Sequence, residues 1–180
     1  MSPYALERRT ATEIRTAVGR KLVGYAATFG TPAPIAGFTE TIRAGAFRAS
    51  LATSRDTLAL LDHDSTRLLA RTSNGTLRLS EDARGLAFEI ELPNTTLGND
   101  VLAMAEARLL GGMSFGFRVP AGGDAWPSPN KRELHAVDLA EISVVQAFPA
   151  YSSTTVDARS RFRAASIDPA RVRRALLIAL

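Results

Sequence analysis

Residues 97–119 read LGNDVLAMAEARLLGGMSFGFRV, and the change of period inside this stretch decides the class of fold. In its first half Leu97, Val101, Leu102, Ala105 and Leu109 recur at the spacing that lines one face of a helix, with Asp100, Glu106 and Arg108 elsewhere. Gly111-Gly112 ends that helix. Beyond it Met113, Phe115, Phe117 and Val119 alternate with Ser114, Gly116 and Arg118, which is the period of a strand with one apolar face. Ser114 therefore points away from the aromatic side.

Working outward, the segments on both sides read as strands. Upstream, residues 22–29 form a strand broken by Gly30 and the Pro32/Pro34 pair, residues 40–42 a short extended segment, and residues 45–52 one or two helical turns. Residues 57–61, 67–72, 76–79 and 86–92 are β-compatible and separated by turn signals at Ser73-Asn74-Gly75 and around Asp82 to Gly85, which predicts a meander of antiparallel strands. Downstream, a Pro/Gly loop around Trp126 leads to extended segments at 133–137 and 139–145, closing at Phe148-Pro149-Ala150-Tyr151. There is no internal repeat. The count predicts a mainly β, α+β fold: an antiparallel barrel or strongly curved sheet with one or two helices. Residues 1–19 are expected to form an N-terminal arm, 20–156 the globular domain and 157–180 a basic tail.

Composition limits the chemistry. With 180 residues, 46% hydrophobic and 22% charged, the chain is long enough to bury one core. It has no cysteine, which excludes disulfides, thiolate zinc sites and a cysteine nucleophile. The first thirty residues hold no apolar run fit for a signal peptide, and the apolar end at 175–180 is far short of the ~20 residues that span a bilayer, so the chain reads as soluble and unexported. Six arginines against Asp157 and Asp168 place the whole formal excess of +4 in the tail. The rest is formally neutral. Nucleic-acid binding is therefore a poor primary function, and the tail's charge suits an acidic partner.

Only His63 and His135 supply imidazoles. No H-E-x-x-H occurs, and His63-Asp64 lacks the further histidines of a metal hydrolase, so no metal or other cofactor is expected. No phosphate-cradling loop is present either, because Gly111-Gly112 follows a helix whereas such cradles precede one. What remains is a hydroxyl paired with an imidazole. Gly112-Met113-Ser114-Phe115-Gly116 matches G-x-S-x-G, yet the setting is not a lipase-type elbow, which needs strand, turn and then helix. His63 stands at the rim of an apolar strand between Asp62 and Asp64, where negative charge favours the imidazolium formed by a general base. The third group, which would orient the base, has five candidates: Glu141, Asp62, Asp64, Asp138 and His135. Glu141 is the best placed, inside the apolar run 139–145 on a face shared with Leu139 and Ser143, where a carboxylate is costly unless paired.

Several segments, in one order, resemble the prohead maturation proteases of HK97-like tailed bacteriophages. They are Gly24-Tyr25-Ala26 with Phe29, Gly45-Ala46-Phe47, Leu61-Asp62-His63-Asp64, the run from Gly111 to Phe117, and the run from Asp138 to Val145 with Pro149-Ala150-Tyr151. The resemblance covers residues 20–151. It implies a curved antiparallel barrel flanked by helices, as in the related herpesvirus assemblins, with Ser114 as nucleophile, His63 as base and Glu141 in the third place. Assemblins use a second histidine there, which keeps His135 as an alternative. The expected biology is a serine endopeptidase in the host cytoplasm, inside the immature procapsid. Its implied partners are the major capsid protein and scaffold as substrates, itself as a further substrate, and a second copy in self-association. The competing reading is an inactive assembly protein that keeps the fold.

Overall fold

A computed structural model of the chain describes residues 6–147, apart from residues 12, 18 and 36. The closing Phe148 to Tyr151 segment and the basic tail lie outside the described residues. The first half is built from β1 (Glu7–Ala11), β2 (Glu13–Ala17), β3 (Lys21–Thr28), β4 (Ala33–Ile35), β5 (Phe38–Ile42), the short helix α1 (Arg48–Leu51), β6 (Leu58–Leu61) and β7 (Asp64–Arg71). The second half comprises β8 (Leu77–Glu81), β9 (Gly85–Glu91), α2 (Thr96–Glu106), β10 (Gly112–Arg118), β11 (Asp124–Ser128), β12 (Lys131–Leu134) and β13 (Asp138–Val145).

Strands sort into three sheets, ordered β1-β10-β13-β6-β7, β11-β12-β5-β4 and β2-β3-β9-β8. The expected barrel is corrected here: none of these sheets closes, since closure requires the two outermost strands to pair and β1 and β7 remain opposite edges of one open sheet. The expected meander is also only half right. β6 pairs antiparallel with β7, and β8 with β9, but β7 and β8 lie in different sheets, and β6 also runs parallel to β13, as β12 does to β5. Parallel neighbours come from segments far apart in the chain, a relation that a local alternation of side chains does not encode.

The core gathers where the inner faces of these sheets meet. Phe47 packs edge-on to Phe115 at 5.6 Å, and Phe115 stacks on Phe117 at 5.2 Å. Leu22, Leu61, Ile90, Val101, Met113, Ile142 and Val144 complete it with no accessible surface. Every residue of β10 from Gly112 to Phe117 is buried, so this strand has protein on both faces. Helix α2 starts at Thr95, whose hydroxyl accepts from Gly98 N at 3.2 Å, and it ends earlier than its periodicity predicts. Leu109 N donates to Met104 O and Arg108 N to Ala105 O, a Schellman closure with Arg108 at φ 56° in the left-handed position that glycine usually fills. Gly111-Gly112 thus leads into β10, which Gly112 opens, rather than stopping α2. Among the described residues no helix is long and apolar enough to cross a membrane.

Candidate active site

β6 and β7 are joined by Asp62 and His63 alone, with Leu61 opposite Asp64. Both linking residues have positive φ, 52° and 61°, as a type I′ hairpin turn requires. Glycine and asparagine usually take such places; aspartate and histidine tolerate them better than most side chains but still at a cost. The turn is held from outside. Asp62 N donates to Val144 O at 2.9 Å, Asp62 Oδ1 accepts from Gln146 N at 2.9 Å, and Asp62 Oδ2 lies 3.3 Å from Arg67 Nη1. Asp62, a candidate for orienting the base, instead ties the turn to the end of β13.

His63 Nδ1 lies 2.7 Å from Glu141 Oε1, and Glu141 Oε2 accepts from Ser143 Oγ at 2.6 Å. Arg8 Nε is 3.8 Å from the same carboxylate, whose side chain is 8% exposed. A bulge in β13 explains how Glu141 comes to face this way. Gly116 pairs with Glu141 but Phe117 pairs with Leu139, so Ala140 is the extra residue. Leu139 therefore turns into the core with Phe117 while Glu141 turns to the opposite face, and the expectation that the two share a face is corrected. Gly116 makes room for that carboxylate: a Cβ at 116 would collide with Glu141 Oε1 and lie 3.0 Å from its Cδ.

Ser114 sits on the same face, directly opposite Ser143, with no accessible surface. Its hydroxyl donates to Arg9 O on β1 at 2.7 Å and makes no hydrogen bond to His63. Nε2 of His63 has no hydrogen-bond partner among the described residues. An imidazole whose Nδ1–H points at a carboxylate presents a basic lone pair at Nε2, the arrangement a general base needs. The other candidates stand elsewhere. His135, half exposed just past the end of β12, has Nε2 3.3 Å from Glu133, Asp64 accepts from Thr66 N and Oγ1, and Asp138 stands opposite Arg118 in the register at the far end of β10. The hydrogen bonds from Thr66 hold the Asp64 carboxyl below its usual range. Gly111 N, a main-chain donor three residues before Ser114, is spent on Val145 O at 2.7 Å.

A second polar centre, between β1 and the β11-β12-β5 strands of the neighbouring sheet, gave no signal in the sequence. Arg9 binds Glu40 through Nε at 2.5 Å and Nη2 at 2.8 Å, with its guanidinium 5.3 Å from the centre of the Phe117 ring. Arg132 bridges Glu40 at 3.1 Å, Glu7 at 2.6 and 3.0 Å, and Asp124 at 2.8 Å. Burial alone would raise the Glu7 carboxyl, but the hydrogen bonds and charges of Arg132 and Arg9 hold it below its ordinary value. Burial works against the Arg132 cation too, and the hydrogen bond and charge of Glu7, with Asp124 and Glu40, override it and raise its pKa.

A family model described as Caudovirus prohead serine protease matches residues 5–168. Comparison with curated proteins and with solved structures found no match.

Proposed function

Because the chain belongs to the caudovirus prohead serine protease family, we propose that it cleaves the scaffolding segment of the major capsid protein or a separate scaffold, and its own chain, inside the procapsid. Ser114 is the nucleophile, His63 the general base and Glu141 the group that orients the base. The observation that carries this reading is the 2.7 Å contact between His63 Nδ1 and Glu141, on the sheet face that also bears Ser114. With Nδ1–H committed to the carboxylate, Nε2 takes the proton from Ser114 Oγ as the oxygen attacks a peptide carbonyl carbon. The tetrahedral adduct collapses, the amine leaves with the proton from Nε2, and water resolves the acyl-enzyme by the same route in reverse. Glu141 keeps the imidazole in the required tautomer and stabilises the imidazolium.

One observation favours the second reading, an assembly protein without activity: the Ser114 hydroxyl is fully buried and bonded to a backbone carbonyl. Co-expression with the coat protein separates the two. Truncated coat or scaffold chains, seen by intact mass with the wild type and absent with Ser114→Ala, are the expected result. Identical masses in both would leave the inactive reading.

A further inference from the structure

Strand β1 is an edge strand of its sheet, and its composition is unusual for a permanent member. Of its five residues, Glu-Arg-Arg-Thr-Ala, only Arg9 is buried. No large apolar side chain attaches it to the core. It is held by main-chain pairing to β10, by the Arg9 guanidinium between Glu40 and the Phe117 ring, and by Glu7 on Arg132. Charge-assisted bonds of this kind are strong, specific and open to competition by another guanidinium. The pairing register sets Thr10 opposite Ser114, so the Arg9–Thr10 peptide group lies beside the hydroxyl and the Arg9 carbonyl receives its hydrogen bond. A peptide strand laid along the edge of β10 with its carbonyl at the serine is how an extended substrate would lie, since an exposed sheet edge captures a peptide by adding it as a strand.

We propose that the edge of β10, together with the Glu40 and Phe117 pocket, is a site for an extended peptide carrying a guanidinium side chain. β1 occupies this site in cis and keeps Ser114 latent until it is withdrawn. The latency rests on the reading of Ser114 as nucleophile; the peptide site does not. Both are tested in the full chain. A fluorescent peptide with the sequence of residues 6–13 is titrated by anisotropy onto Ser114→Ala and onto Ser114→Ala/Arg9→Ala. Weakening the internal competitor raises the competent fraction, so binding to the second protein is expected to be about tenfold tighter. The same peptide with alanine in place of its second arginine is expected not to bind. Equal affinity for the two proteins, or binding to neither, overturns the proposal. In chains that retain Ser114, Arg9→Ala and Glu40→Gln are each expected to speed labelling by a fluorophosphonate about tenfold. In Ser114→Ala/Glu40→Gln, the peptide should no longer bind. Persistent amide protection of β13 and β6 identifies the variants that have kept their fold, and the two substitutions approach the pocket from opposite sides. Peptide binding without labelling in any variant would remove the protease reading and the latency, and leave the peptide site standing. Labelling at one rate in all chains would overturn the latch and leave the protease reading intact.

Discussion

β10 has two neighbours, and they are held by opposite physics. β13 pairs with it over seven register positions and buries Leu139, Ile142 and Val144 in the core. β1 pairs over five and buries one arginine. The apolar contacts of β13 carry no titrating group, whereas the side-chain contacts of β1 depend on two carboxylates, Glu7 and Glu40, staying charged. The neighbour held by apolar burial carries Glu141, whose carboxylate lies 2.7 Å from His63. The neighbour held by charge covers the Ser114 hydroxyl. The strand that bears Ser114 thus has one side held by apolar burial and the other by main-chain pairing and charge.

The largest effect should come from the face both neighbours share. Ser114→Ala and His63→Ala are each expected to lower the cleavage rate by on the order of 10⁴, by nearly equal factors because the pair works as a unit, measured as the initial rate of coat-protein truncation. A small loss in either would break the assignment. Next, Ile142→Ala on β13 should cost about 2–5 kcal/mol in denaturant unfolding of the whole chain. Arg9→Ala should instead raise amide exchange in residues 7–11 while β13 stays protected. A global loss from Arg9→Ala as large as that from Ile142→Ala would erase the contrast between the two strands.

Gly116→Ala sharpens the comparison on the rigid side. The added methyl meets the Glu141 carboxylate, so the imidazole loses its support, and cleavage should fall about 100-fold with KM little changed. If the methyl acts through Glu141, the substitution should cost far less in a Glu141→Ala background; an equal cost in both would assign Gly116 a purely structural role.

The smallest effect is the titration of β1. The Glu7 carboxyl is held below its ordinary value of 4.5 in the fold, so its contribution is complete above that pH and is lost as pH falls through the depressed folded value. Trp126, the only tryptophan, lies 5.8 Å from the Arg132 guanidinium and reports on this cluster. Its fluorescence should change only below about pH 4.5, and Glu7→Gln should abolish that step while the unfolding transition remains.

The sequence was legible where structure is local. The alternation in β10 and β13 and the helical stripe of α2 each specify an element from neighbours within a few residues. Glu141 stood out as a carboxylate in an apolar run because its cost of burial is intrinsic to the residue. The bulge at Ala140 was not legible, since it depends on how two strands mismatch rather than on either alone. β1 escaped for a related reason. Its buried arginine looks like a surface residue until Glu40, thirty-one positions away, supplies the counter-charge. The parallel neighbours of β6 and β12 are likewise decided by the packing of whole sheets.

One connection carries a mechanical consequence. β1 ends at Ala11 and β2 begins at Glu13, in a different sheet. With its trailing end fixed one residue away, β1 cannot slide along β10; it can only be peeled from the Glu7 end. Tension applied there loads its hydrogen bonds one after another, as a zipper opens, rather than all together in shear. The Glu7 and Arg9 clamps part first and the Thr10–Ser114 pair late, so a small force from upstream residues would suffice to uncover the serine.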